Sequence, residues 1–146
     1  MPNFNFEMTL PADSQKLFEL AIDYENYQKI FPGQLKEVSV VSRNGSVVIT
    51  KEVLTFNTYF KNTELYQKTS HSAHYPILVN NVIEGPFKGT VIQVTFDELD
   101  SGSKVTINAE LKISLKYKIL SPIIKNKYKS ILTSLLYKMN NLAMNA

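Results

Sequence analysis

The chain contains no cysteine and no tryptophan, one arginine, and only five glycines among its 146 residues. Without cysteine there is no disulfide, no thiolate zinc site and no thiol nucleophile. With Arg43 alone, the bidentate grip that arginine gives phosphates and base edges is missing, so no nucleic-acid partner is expected. The glycines at 33, 45, 85, 89 and 102 lack the spacing of a phosphate loop, a dinucleotide fingerprint or a nucleophile elbow, and no cofactor is expected. No apolar run approaches the ~18 residues of a membrane span, and no basic segment followed by an apolar one opens the chain. The expected location is cytoplasmic.

What is present is ordinary in amount and uneven in placement. Hydrophobic residues make up 44% and charged residues 20% of the chain. That composition and length predict a single domain over residues 1–146, burying about 70% of its unfolded surface. The net charge is +3, yet Lys116 to Ala146 holds six lysines and no acid, while the preceding residues carry 10 basic against 13 acidic groups. A basic C-terminal element on a mildly acidic body suits an anionic membrane surface or an acidic protein partner; lysines on the wet face of a core helix are the plainer reading.

Periodicity sets the element order. Residues 3 to 10 alternate, with Phe4, Phe6, Met8 and Leu10 on one face, and Pro11 ends that strand. Asp13 or Ser14 can cap a short helix striped by Leu17, Phe18, Ala21 and Ile22. A second short helix carries Tyr24, Tyr27, Ile30 and Phe31 and stops at Pro32-Gly33. From Gln34 to Tyr117 the pattern is strands and turns, with hairpin signals at Asn44-Gly45, more weakly at Lys61-Asn62, and at Asp100 to Ser103. The inward faces of strands 46–60 and 77–84 cannot be assigned. Residues 105 to 117 alternate without a break, placing Val105, Ile107, Ala109, Leu111, Ile113, Leu115 and Tyr117 on one dry face. Ser121-Pro122 then opens a helix whose apolar stripe, from Leu120 and Ile123 to Met139 and Leu142, runs roughly 35 Å.

Strands joined by short turns pair antiparallel. The predicted class is therefore α+β: a curved antiparallel sheet of about seven strands wrapped around a long C-terminal helix, with two short helices after the first strand. A bent sheet cannot lie flush on a straight rod everywhere, so the gap is either plugged by side chains or left open for a ligand. Ala109, between Ile107 and Leu111, is small where a large residue would plug the space; equally, it can make room for a neighbouring phenylalanine.

In this order of elements, and at Glu84-Gly85-Pro86-Phe87-Lys88-Gly89, Phe96, the strand from Val105, and Phe31-Pro32-Gly33, the chain resembles the START-like superfamily. That superfamily has the helix-grip fold and includes birch-pollen allergens and polyketide cyclase/dehydrases. The triplet at 31–33 is most similar to its coenzyme-Q-binding and carbon-monoxide-dehydrogenase branches. The resemblance spans essentially the whole chain and implies an apolar cavity. It carries no universal catalytic motif.

The expected function is therefore to bind or carry a hydrophobic small molecule, such as a lipid, quinone or aromatic polyketide, between the sheet and the last helix. Its expected walls are Phe18, Phe31, Val94, Phe96, Ile107, Ala109, Leu111, Ile113, Ile124, Tyr128 and Ile131, with Asn81 as a polar contact. Eight tyrosines and eight phenylalanines supply flat surfaces and orienting hydroxyls. The rival expectations are a cyclase or dehydratase and an accessory module docking through the lysine-rich helix. An enzyme needs an acid or base inside, for which Glu52 and Glu84 are the candidates. His71 and His74 point to opposite faces of a strand, which argues against a shared metal, and both are expected at the surface.

Overall fold

The structure, a computed structural model, describes residues 3–30, 35–57 and 62–145. Seven strands form one antiparallel sheet: β1 (Asn3–Leu10), β2 (Leu35–Asn44), β3 (Val47–Asn57), β4 (Asn62–His74), β5 (Ile77–Glu84), β6 (Val91–Glu98) and β7 (Ser103–Glu110). Their spatial order is β1-β7-β6-β5-β4-β3-β2, so only the first strand leaves its place in sequence. After β1 come α1 (Ser14–Ala21), a 3-10 turn (Tyr24–Asn26) and α2 (Tyr27–Ile30). A second 3-10 helix (Leu115–Leu120) leads into the long α3 (Ser121–Met144).

Local chemistry explains the breaks. The Asp13 carboxylate accepts from the backbone N–H groups of Gln15 and Lys16, capping α1. Leu17, Phe18 and Ala21 then fall on one buried stripe. Gly45 sits at φ +62 in the tight β2–β3 turn that Asn44-Gly45 announces. The expected helix stop at Pro32-Gly33, the wall residue Phe31 and the expected turn at Lys61-Asn62, which involves Lys61, lie outside the described residues.

The concave face of the sheet holds α3. Ile124, Tyr128, Leu135, Leu136, Met139 and Ala143 from the helix share one buried core with Leu78, Val82, Ile92, Val94, Phe96, Val105 and Ile107. A polar clasp fixes the far end of that helix. The buried Asn140 side-chain oxygen accepts from Ala12 N at 3.0 Å, and the Ser103 hydroxyl donates to Ala12 O at 2.8 Å. Three segments are thereby tied.

The last strand is shorter than its alternation predicts. β7 ends at Glu110, although Leu111 and Ile113 remain buried and Lys112 and Ser114 exposed. These four residues leave the ladder and bond the β5–β6 turn instead: Lys112 N donates to Thr90 Oγ1 at 2.9 Å, and Ser114 N to Pro86 O at 3.0 Å. The dry-wet pattern persists because a surface still lies beneath it, but that surface is a turn. Beyond it, Leu115 is 85% exposed and Tyr117 packs on Phe87 from the 3-10 helix, so neither continues an inward strand stripe. Leu142, placed on the helix stripe by spacing, is also exposed.

Candidate functional site

Between the sheet and α3 lies a cavity of about 150 Å³. Most of its wall is apolar, drawn from Leu54, Leu78, Val94, Phe96, Ile107 and Leu135 among others. One region is not apolar. Thr50 and Glu52 from β3, Gln67, Thr69 and His71 from β4, and Asn80 from β5 all face inward, opposite Tyr24, Tyr27 and Tyr128. The strands place them side by side: Thr50 pairs with Thr69, Glu52 with Gln67, and His71 with Asn80.

These polar groups bond in series. Asn80 Nδ2 donates to the Ile92 carbonyl at 3.1 Å, which turns its Oδ1 toward His71 Nδ1, 2.6 Å away. His71 Nε2 lies 2.7 Å from Thr50 Oγ1, and that hydroxyl is 2.7 Å from Glu52 Oε1. Gln67 Nε2 donates to the other carboxylate oxygen at 2.8 Å. Burial pulls the imidazole below its ordinary range, while Asn80 and Glu52 pull the other way. Tyr24 lies flat against the imidazole, and its buried hydroxyl has no partner among the described residues.

The tyrosine hydroxyls stay protonated. Burial pushes those of Tyr24, Tyr27 and Tyr128 far above the ordinary value, and the Glu52 charge adds to the rise in each. Tyr27 spends its proton on the Ala21 carbonyl. The cavity thus joins a ring-sized apolar space to one carboxylate, one imidazole and neutral hydroxyl donors. That combination can orient an oxygen-bearing ligand, and it can move protons.

Of the residues expected from sequence, Val94, Phe96, Ile107, Tyr128 and Ile131 line the cavity. Phe18 instead packs edge-on against Phe96 and Tyr75, one layer behind the wall. Ala109 is buried outside the lining, directly across the ladder from Phe4 and Ile92, so its small side chain makes room for larger neighbours. Leu111, Ile113 and Ile124 belong to the core and not to the cavity wall. Asn81 is exposed, because the β5 register turns Asn80 inward. His71 corrects the expectation of surface histidines: it is buried, while His74 stays exposed. Glu52 points in and Glu84 out, the latter near Lys68 at 3.5 Å. Sequence reasoning missed Thr50, Gln67, Thr69 and Asn80. The signal that could have found them was the inward row Leu65, Gln67, Thr69 and His71, which carries no formally charged side chain while Glu64 and Lys68 alternate with it.

Residues 10–139 match the model of the family described as polyketide cyclase / dehydrase and lipid transport. The chain belongs to this family. No curated protein matches it in sequence. Among solved structures, the Thermus thermophilus protein TTHA0849 superposes with a TM-score of 0.83 at 16% identity, covering 99% of this chain and 98% of that one. The Zhui aromatase/cyclase from Streptomyces sp. R1128 gives 0.75 at 11% identity over 94% and 92%. Norcoclaurine synthase from Thalictrum flavum, in complex with dopamine and hydroxybenzaldehyde, gives 0.72 at 10% identity over 98% and 86%. Identities this low establish a shared helix-grip, START-like fold. The polyketide cyclase/dehydrase family accordingly supplies a pocket architecture, and the residues inside it are this chain's own.

Proposed function

We propose that the protein binds a small hydrophobic molecule carrying one ring and at least one oxygen, in the cavity beneath α3. The size and lining of that cavity support this reading most. An apolar space of about 150 Å³ takes a benzene-sized guest, whereas drug-sized ligands occupy roughly 300–1,000 Å³. Of the lipid, quinone and polyketide-like candidates, a single-ring quinone or phenolic compound fits that volume best; an intact acyl lipid or a multi-ring aromatic does not. The polar groups on one wall would fix its orientation. Native mass spectrometry of protein purified from its own host, with extraction of the bound molecule, tests this. A retained single-ring compound supports the proposal, and a protein that neither retains nor takes up any such compound overturns it.

A second reading, an enzyme of the cyclase or dehydratase kind, is favoured by one observation: Glu52 and His71 are both inside and share Thr50 between them. General acid–base work requires such groups in contact with the substrate space.

We propose in addition that the protein collects its ligand at an anionic lipid surface. Leu115 and Ile119 are 85% and 89% exposed on the 3-10 helix before α3, with Lys116 and Lys118 in the same turn and exposed Lys112 just before it. Two bare aliphatic side chains ringed by cations suit insertion at a negatively charged headgroup layer. Among the described residues, no helix is long and apolar enough to cross a membrane, so contact of this kind would be peripheral. Co-sedimentation with phosphatidylserine vesicles, lost at high salt and in the Leu115→Ser/Ile119→Ser variant, is the expected result. Binding that ignores both changes rules it out.

A further inference from the structure

The sheet has two edges, β1 and β2, and the chain treats them differently. β2 is guarded. Its pairing with β3 shifts register between Leu35 and Glu37 and again between Val40 and Ser42, so the strand is irregular at two places. Gln28 Nε2 from α2 donates to the Lys36 carbonyl at 2.7 Å, which occupies that acceptor. Lys36 and Arg43 bring charge to the strand, paired with Glu64 and Glu25. Bulges, charges and cover are the devices that keep a sheet edge from joining another chain.

β1 is open by comparison. It pairs with β7 without a register shift from Asn3↔Glu110 to Leu10↔Ser103. Glu7 is its one charged residue, and it contains no proline. Strand geometry turns every second N–H and C=O of β1 away from β7. Among the described residues no other backbone group bonds to that outer edge. Phe4, Phe6, Met8 and Leu10 pack toward the core, while Asn3, Asn5, Glu7 and Thr9 are exposed on the other face.

A regular, unpaired edge accepts another strand, and the side chains of β1 suit its own copy. Two copies about a two-fold axis pair antiparallel, and dry face meets dry face only when the axis passes through a residue position. An axis at Glu7 sets two carboxylates opposite each other. An axis at Asn5 or Met8 shortens the paired stretch to residues 3–7 or 6–10. An axis at Phe6 pairs residues 3–9: Phe6 with Phe6, Phe4 with Met8, Asn5 with Glu7 and Asn3 with Thr9. Ring then meets ring, ring meets sulfur and amide meets carboxylate, with no like charges opposed.

We propose that the protein self-associates edge to edge through β1, joining two sheets about a two-fold axis at Phe6. The association is weak and reversible, because one strand from each copy buries less than the ~1,200 Å² at which standard interfaces begin. Lys129 Nζ stands 5.6 Å from the centroid of the Phe6 ring. Pairing brings two such cations toward one axis, so the dimer tightens as salt rises. Attraction of an acidic protein to the same lysines would respond in the opposite direction. β1 gives no residue to the cavity wall, whereas β2 gives Leu35 and Val38, so pairing at β1 leaves the cavity as it is.

The test is sedimentation of the full chain over a concentration series reaching about 1 mM, at low and high salt, with two variants of one residue. A dissociation constant on the order of 100 µM, falling as salt rises, is expected for the parent protein. Asn5 is exposed, so neither variant disturbs the core. In the dimer each Asn5 faces the Glu7 carboxylate of the second copy. Asn5→Lys should therefore tighten association about fivefold, and Asn5→Glu should weaken it by as much or more. A parent protein that stays monomeric throughout the series overturns the proposal. Dimers indifferent to both variants, or shifted the same way by both, place the contact on another surface and overturn it as well.

Discussion

Tyr24 and His71 stack with ring centroids 4.3 Å apart and planes inclined by 26°, a contact between the 3-10 turn after α1 and the C-terminal part of the long strand β4. It fastens the polar stretch of the cavity to the helical side of the molecule. The tyrosine ring does the fastening, and its hydroxyl has no partner among the described residues.

That hydroxyl gives the first prediction. Tyr24→Phe keeps the stack and removes a buried, unpartnered donor, so stability should hold or rise by about 1 kcal/mol. Affinity for an oxygen-bearing ring compound should fall. Chemical denaturation and a binding titration on the same variant check both halves. A variant that loses stability would mean that the hydroxyl has a partner in solution.

Stability should depend on pH at both ends. The folded imidazole of His71 binds its proton less readily than an unfolded one, so its contribution is complete above 6.5 and is lost as pH falls below that value. The buried tyrosines act at the other end. Their folded hydroxyls hold protons above the ordinary 10.0, so the stability they lend is complete below pH 10 and is lost as pH rises past it. Thermal melts across pH should show both limbs, and His71→Asn should flatten the acid one. An unchanged acid limb in that variant assigns it to other groups.

Filling the cavity should abolish binding without unfolding the protein. Val94 projects from β6 into the space, and the added ring of Val94→Phe can occupy volume that is already void. Overpacking of a full core costs about 1–3 kcal/mol, whereas here the melting temperature should stay level or rise. At least a tenfold loss of affinity is the expected readout from calorimetry. A large drop in melting temperature would show the wall to be tighter than its shape implies.

The β5–β6 turn allows a backbone test. Gly85 lies at φ +115, and a Cβ there would come within 2.6 Å of the Tyr66 carbonyl oxygen. Gly85→Ala should cost about 2 kcal/mol or more through the strained dihedral and the shift forced on β4. The denaturation midpoint measures it, and a neutral result would mean that β4 yields easily at that point.

The architecture was legible from the chain because its strongest signals are local. Alternation in β1 and β7, the Asp13 cap, Asn44-Gly45 and the stripe of α3 each need only a few neighbouring residues to read. What misled was continuity: the alternation from Val105 ran on through Leu111 and Ile113 after the strand had ended, because the β5–β6 turn took over as the surface being covered. The cavity was less legible. Its lining depends on cross-strand register, and in β3 both faces carry apolar and polar residues, so no alternation rule picks the side of Thr50 and Glu52. Asn80 and Asn81 are chemically identical neighbours, and only the ladder decides which turns inward. The buried His71 was hidden because a histidine flanked by Ser70 and Ser72 looks like a surface residue.

A void of about 150 Å³ imposes a consequence of its own. In the proposed binding role it would work as a sieve before it worked as a recognition device: a guest with a second fused ring would have to widen the space between the sheet and α3. Selectivity would then be set by bulk, with oxygen chemistry sorting only those molecules slim enough to enter.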